Sequence, residues 1–408
     1  MRRIVPIAVA VVSVLVATAV PAIADPGDLD LSFGRGTGHT SAVVTGNQDG
    51  VDVVVRPSGK IVVVSSGGTI VQFRSNGDPD PDFGTGGVVH TPGSVEIRAV
   101  ALDGTGNLVL AGSMRNDVFV ERFLPGGDPD TGFAGIGALT THFNRPAYGV
   151  DVAVGPNGRI VVAGGLGFDN SKFLVIRYLP GGALDPNFNG DGSAATTVLG
   201  NDSAEAVAIA NDGTVVAAGT ASPGDSPRSF GVVRYHPNGH LDRTFSGDGK
   251  ATARVGSTSD GDSLVLQPDG KAVVGGSFFH PGIDWALVRF TAAGRLDHSF
   301  GGDGKVTTVF GSGVNNFGGL MRQASGDLVA CGTHHDAGVI SLLVVRYQPN
   351  GSLDLGFGAG GGVDETLGDH PSCRGIFKSP HAKVVAGLTV DGAGTDGDLG
   401  AARFLAGA

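Results

Sequence analysis

The 408-residue chain carries 28 Lys and Arg against 39 Asp and Glu, a net charge of −11, and a surface this acidic disfavours nucleic acid and anionic lipid as partners. Glycine supplies 71 residues, far above the usual ~7%, but the glycines recur at fixed points beside apolar runs, which excludes a disordered chain and marks them as turn residues. Two cysteines are too few for a disulfide scaffold.

Residues 1–24 read as a secretory signal: Arg2 and Arg3, an apolar run over residues 4–20, then Ala22-Ile23-Ala24 before Asp25, an A-x-A cleavage pattern. The mature chain is expected to start at Asp25, to have a net charge of −13 once Arg2 and Arg3 are lost, and to work outside the cell or at its surface. No second apolar run of about 18 residues follows, so no membrane span is expected after cleavage.

From Asp25 onward the chain repeats one stretch seven times. RYLPGGALDPNF (residues 177–188) returns as RFLPGGDPDTGF (122–133), RYHPNGHLDRTF (234–245), RFTAAGRLDHSF (289–300) and RYQPNGSLDLGF (346–357), and more loosely as QFRSNGDPDPDF (72–83). The seventh copy is split, its front RFLAGA at residues 403–408 and its back GDLDLSF at residues 27–33. A repeat shared by both ends is completed only if the ends meet, so a closed ring is expected.

Each repeat reads as four short strands, A to D. Strand A is an apolar run such as residues 51–55 or 206–209, followed by a Pro-Asn-Gly or Pro-Asp-Gly hairpin such as Pro156-Asn157-Gly158, where glycine supplies the positive φ. Strand B follows over residues 160–163, strand C ends in the Arg-aromatic pair over residues 173–178, and strand D runs over residues 305–310. A and B are apolar at nearly every position, as strands buried on both faces are, while C and D look mixed. An all-β, seven-bladed β-propeller of four-stranded antiparallel blades satisfies this pattern, its last blade closed by the N-terminal strand. Phe33 and Phe357 stand six repeats and 324 residues apart, a mean of 54, which is too long for the coil of a β-solenoid. The expected blades are residues 46–91, 93–143, 147–199, 202–255, 259–310, 314–366, and 370–408 plus 25–45, all within a single domain over 25–408.

The stretch Gly294-Arg295-Leu296-Asp297-His298-Ser299-Phe300-Gly301-Gly302-Asp303-Gly304-Lys305-Val306-Thr307-Thr308 resembles the repeat of the delta-60 family of exported bacterial proteins, and the resemblance covers residues 25–408. Gln72 in place of the arginine, Pro79 and Pro129 in place of leucine, and Ala382 in place of the hairpin glycine depart from it. The resemblance implies a β-propeller and no particular activity.

The residues able to carry chemistry are few. Arg122 with Asp130, Arg177 with Asp185, Arg234 with Asp242, Arg289 with Asp297, and Arg346 with Asp354 stand eight apart across the C to D turn, and are expected to form bidentate structural ion pairs. Asp185, Asn187 and Asn189 precede Gly190 as in the first half of a calcium loop, but Thr196 occupies the twelfth position, which leaves calcium a weak candidate and no cofactor expected. His334 and His335 are adjacent and should point to opposite faces of a strand.

Repeat length varies almost only between the hairpin glycine and the strand C aromatic, from 14 to 22 residues, so one face carries variable loops on a rigid frame. That face should display Phe168, Asp169, Phe278, Phe279, His280, His334, His335 and Asp336, with His142, Arg145, Tyr148, Phe317 and His370 from the D to A connections. Around the channel mouth Asp49, Glu96, Asp202, Glu205, Asp260, Asp262 and Asp369 gather. The expected function is a secreted, non-catalytic binding or surface-interaction module, a monomer whose variable face meets an extracellular protein or glycan. The alternative is an extracellular hydrolase or lyase of polysaccharide or peptide using carboxylates at the channel mouth.

Cys331 in strand B of blade 6 and Cys373 in strand A of blade 7 should lie at similar height in adjacent blades. Packed sheets stand about 10 Å apart whereas bridged Cα atoms need about 4.4 to 6.8 Å. A buried free thiol is therefore expected, unless the sheets narrow near the axis.

Overall fold

The computed structural model describes residues 25–407 except 45–48, 92, 225–226, 311–312, 337, 369–370, 380–382 and 391–397. The signal segment, Asp369, His370 and the hairpin position Ala382 lie outside the described residues. Among those described, 28 strands form seven four-stranded antiparallel sheets. The innermost strands, each strand A of its blade, are Gly50–Val55, Glu96–Leu102, Ala147–Val154, Asn201–Ile209, Thr258–Leu266, Asn316–Arg322 and Ser372–Ser379. Each contacts the next, and the last contacts the first: the chain is a closed seven-bladed β-propeller.

The burial pattern explains why strand B is apolar throughout. In blade 1 every residue of Ile61–Ser65 is buried, because Ile61 and Val63 pack toward blade 7 while Val62 and Val64 pack toward blade 2. Strand C departs from expectation: Lys172–Tyr178 is buried at six of its seven positions. Strand D is mixed at its free rim edge, and strand A, expected to be buried on both faces, is mixed as well, as in Thr258–Leu266, because it lines the axial channel.

The ends meet as the split repeat requires. His39–Ala42 pairs antiparallel with Asp398–Leu405, the Gly27 N–H donates to the Leu405 carbonyl at 2.7 Å, and Asp30 N–H to Arg403 at 2.8 Å. Phe33 is fully buried between blades 7 and 1.

The module arginine does more than pin its own turn. In Arg122, Arg177, Arg234 and Arg289, Nε alone reaches the module aspartate, at 2.7 to 2.9 Å, so these four pairs are not bidentate forks; Arg346 brings both Nε and Nη2 to a single oxygen of Asp354, each at 2.7 Å. Nη1 reaches across to a backbone carbonyl of the next blade: Arg122 to Pro180 at 2.6 Å, Arg289 to Pro349 at 2.5 Å, and Arg177, Arg234 and Arg346 to Pro237, Ala292 and Ala406. Arg403 closes the circle, with Nε 2.7 Å from Asp30 and Nη1 2.5 Å from the Ser75 carbonyl. Each guanidinium also covers its module phenylalanine, as Arg289 does Phe300 at 4.5 Å. Blade 1, which has Gln72 at the arginine position, borrows Arg56. Its Nε donates to Gln72 at 2.6 Å, Gln72 donates to Asp80 at 2.6 Å, and the same guanidinium contacts the Gly106 and Pro125 carbonyls of blade 2.

Cys331 and Cys373 are joined, with Cα atoms 6.0 Å apart, which overturns the expected free thiol. The reason is Gly318: a Cβ there would stand 1.9 Å from the Cys373 carbonyl oxygen. Glycine at this one place lets the innermost strands of blades 6 and 7 close well inside ordinary sheet spacing.

One strand C position is anomalous. Glu121 is 2% exposed, its Oε2 has no hydrogen-bond partner, and the other blades place buried Val71, Ile176, Val233, Val288, Val345 and Ala402 there. Burial alone pushes its carboxyl from 4.5 up to about 7. A raised carboxyl pKa means that the folded state binds the extra proton, so stability falls as pH rises from about 4.5 to 7 and stays low above. Glu121→Val is therefore expected to raise stability at pH 8 by up to roughly 3 kcal/mol, from about 1.36 kcal/mol per unit, and to change it little at pH 4. Urea melts at both pH values check this, and an equal gain at both would refute the titration account.

Candidate functional site

Every strand A contains a β-bulge at the same level. The register slips between Gly50 and Asp52, Ile97 and Ala99, Gly149 and Asp151, Ala204 and Ala206, Gly261 and Ser263, Phe317 and Gly319, and Cys373 and Gly375. The extra residues are Val51, Arg98, Val150, Glu205, Asp262, Gly318 and Arg374. A bulge re-aims its residue, and here all seven line a cavity of about 310 Å³ on the axis.

In blades 1, 3 and 5 the residue after the bulge stitches the inner strands together. Asp52 accepts the N–H of Val53 at 2.8 Å and of Val100 in the next blade at 2.9 Å, Asp151 those of Val152 and Val207 at 2.7 Å, and Ser263 Oγ that of Leu320 at 3.2 Å. Blades 2, 4, 6 and 7 carry Ala99, Ala206, Gly319 and Gly375 instead. Burial first, opposed by these N–H groups, leaves Asp52 up at about 7, with the Asp151 charge adding to it. Asp151 stands at about 6 for the same reasons, Glu205 being its charged neighbour. Both carboxyls are surrounded by protein yet keep some surface open to the channel.

The cavity opens on the variable-loop face into two clefts. One, about 430 Å³, is lined by Asp260, Asp262, Phe279, His335, Cys373 and Arg374 among others. The other, about 400 Å³, is lined by Glu96, Arg98, Tyr148, Phe168, Ser203 and Glu205 among others. Burial raises Glu205, against a hydrogen bond from Ser203 and the Arg98 charge, while Asp260 reinforces it. Asp262 is raised well above its ordinary range by burial, then by Glu205 and Asp260, opposed by the Ser277 N–H and Arg374. Asp260 is raised by burial against Arg228, whose Nε lies 2.8 Å away.

Of the residues expected on this face, the structure brings Glu96, Tyr148, Phe168, Glu205, Asp260, Asp262, Phe279, Phe317 and His335 to the funnel. His334 turns the opposite way, its Nδ1 2.7 Å from Asp364, as adjacent strand residues must. Phe278 is core, 5% exposed, and Phe317, at 8%, packs edge-on against Trp285, so neither is a free platform. His280 is locked: Nδ1 accepts the Gly282 N–H at 2.9 Å and Nε2 sits 2.9 Å from fully buried Asp284. Asp202 is buried and accepts the N–H groups of Val198, Leu199 and Gly200, so it caps a turn and does not edge the channel. Arg145 folds onto the Asp169 carbonyl at 2.5 Å, His142 pairs with Asp117 at 2.8 Å, and Asp49 and Asp336 are exposed outside the funnel.

The calcium candidates do not converge. Asp185 is fully buried, its Oδ2 taken by Arg159 and Arg177 and its Oδ1 by the Asn187 N–H, while Asn189 donates to the Ser193 carbonyl. Among the described residues no group of three His, Cys, Asp or Glu side chains is placed to hold a metal. A larger cavity, about 1150 Å³, surrounds the rim strand of blade 6 and is lined mainly by turn glycines and apolar side chains. It lies away from the axis and gathers no cation.

Sequence reading missed Asp52, Arg98, Asp151 and Arg374. The signal was present: each is a charged residue inside or beside an apolar run, which a strand buried on both faces does not tolerate.

Fold and site together define a β-propeller of seven blades, closed by its N-terminal strand, with a charged axial channel open to the variable loops. In sequence, residues 155–188, 210–245, 267–300 and 323–357 match the domain of unknown function DUF5122 beta-propeller, so the chain carries repeats of that domain in blades 3 to 6. No curated protein matches. Among solved structures the chain is similar to Sqt1 from Chaetomium thermophilum at 10% identity and TM-score 0.51, over 91% of this chain and 97% of that one. It is also similar to U3-55K at 11% and 0.50, over 88% and 96%, and to a protein of unknown function from Dyadobacter fermentans at 11% and 0.49, over 90% and 97%. At such identities the likeness concerns the fold alone.

Proposed function

We propose that the protein is an exported, non-catalytic binding module that takes its ligand in the funnel of the variable-loop face. Arg374 carries this reading. It is exposed in the wall shared by the axial cavity and the larger cleft, and no hydrogen bond or ion pair holds its guanidinium among the described residues, although Asp262 is near enough for its charge to be felt. Every module arginine, by contrast, is spent on a carboxylate and a carbonyl. A cation left open beside aromatic Phe279, with Tyr148 and Phe168 across the channel, suits a polar ligand such as a glycan or peptide. The apparent leader at residues 1–24 and the disulfide support export, and the pattern of residues 294–308 supports reading the repeat as the delta-60 type.

An array of glycans and peptides probed with the mature chain and with Arg374→Ala tests it. The expected result is a saturable signal that falls at least tenfold in the variant; no binding to any feature, or binding indifferent to Arg374, would count against the funnel. The hydrolase or lyase reading has one observation in its favour, two raised carboxyls in neighbouring blades, Glu205 and Asp262, with the Glu205 charge adding to the rise of Asp262. Product release detected on the same arrays, and lost in Asp262→Asn, would replace binding by turnover.

A further inference from the structure

The seven bulge residues are not charged at random. Read round the ring from blade 1 they are Val51, Arg98, Val150, Glu205, Asp262, Gly318 and Arg374. The two arginines belong to blades 2 and 7, on either side of blade 1. The two carboxyls belong to adjacent blades 4 and 5. In a seven-membered ring the point opposite blade 1 falls between blades 4 and 5, so the cationic pair faces the anionic pair across the axis. Valine or glycine occupies the three remaining places and adds no charge between them.

The field already acts within the protein: Arg98 pulls against the raised carboxyl of Glu205, and Arg374 against that of Asp262. The four groups are not joined to one another. Arg98 forms an exposed ion pair through its Nη2 with Glu96 at 2.6 Å, which screens part of its charge, Glu205 takes only the Ser203 hydroxyl at 2.6 Å, and Arg374 is open. The layer beneath is occupied, since Asp52 and Asp151 are held by backbone N–H groups. The volume of about 310 Å³ is at the small end of ligand cavities.

We propose that the axial cavity binds a small zwitterion, its carboxylate or other anionic end between Arg98 and Arg374 and its ammonium between Glu205 and Asp262. This rests on the reading of the funnel as a binding site. A guanidinium pair presents fixed donors to an anion, and two neighbouring carboxyls attract an ammonium. A ligand with one charge satisfies half of the site and leaves the other half desolvated and unmatched, which is the source of selectivity.

The probes are a series of linear amino acids of increasing length, glycine, 4-aminobutanoate and 6-aminohexanoate, with pentylamine and hexanoate as single-charge controls. Calorimetric titration of the mature chain is run near pH 8, because Glu205, facing Arg98, Asp260 and Asp151, and Asp262, facing Glu205, Asp260 and Arg374, are both raised by burial and must ionise to hold an ammonium. Asp52, up at about 7, and Asp151, at about 6, line the same cavity and ionise there too, adding to its pull on the ammonium and opposing the carboxylate. At least one length is expected to bind saturably and at least tenfold more tightly than either control. Arg374→Gln and Asp262→Asn should each weaken it tenfold or more without a change in melting temperature. Failure of every amino acid, equal binding of a control, or binding indifferent to both variants would overturn the zwitterion. The two readings separate cleanly: an array ligand that binds through Arg374 and is not displaced by any amino acid refutes the ligand class and leaves the funnel standing, whereas silence in both experiments refutes both.

Discussion

A chain lacking residues 25–44 is expected to unfold early and to aggregate. The deletion removes the closing strand His39–Ala42 from blade 7, fully buried Phe33, and Asp30, which is 5% exposed. Loss of a buried phenylalanine side chain costs about 3 to 5 kcal/mol. Stripping Asp30 from Arg403, itself 6% exposed, leaves a buried guanidinium without its carboxylate, at about 3 to 5 kcal/mol more. Lys383 also loses its contact with Asp30. Together these approach the whole stability of a typical domain, about 5 to 15 kcal/mol. Strand Asp398–Leu405 would then present a bare edge to other chains. Thermal melting and size-exclusion chromatography check the outcome, and an unchanged, monomeric profile would show that the N-terminal strand is dispensable to the ring.

Arg289→Ala should be the most damaging single substitution among the module arginines. Arg289 is 5% exposed; it donates to Asp297 at 2.8 Å, to the Pro349 carbonyl of blade 6 at 2.5 Å and to Ser299 at 3.0 Å, and lies 4.5 Å over Phe300. Truncation strands the Asp297 carboxylate, 7% exposed, and orphans a carbonyl of the neighbouring blade, so a loss of about 3 to 5 kcal/mol is expected. Lys271, 3.3 Å from Asp297, offsets part of this. Arg35→Ala is the matched control, since that side chain is 83% exposed beside Asp78, and its loss should leave the melting curve unchanged. Denaturant melts of both variants decide the matter. A loss for Arg289→Ala no larger than for the control would mean that the guanidinium links between blades carry no stability.

The ring, its blade number and its mode of closure were legible in the sequence because they are statements about spacing: seven copies of one module, one of them divided between the two ends. The face of variable loops was legible too, from where the length differences fall. What each charged residue does there was not. Asp202 and Asp262 both read as acidic residues near the start of strand A, yet one caps a turn and the other lines the axis. The difference lies in a bulge, which inserts a single residue and turns its side chain toward the channel, and a bulge leaves no mark in the spacing of the repeats. Arg403 and Asp30 form a module pair although 373 positions separate them, and Arg56 replaces the arginine that Gln72 displaces, because the carbonyl to be held belongs to the next blade. Cys331 and Cys373 were judged by ordinary sheet spacing, while the bond depends on a missing Cβ at Gly318. Local pattern therefore determined which strands form and in what order. Only tertiary packing decided which side chains share the axis, because seven strands far apart in sequence converge there and each neighbour is set by ring closure.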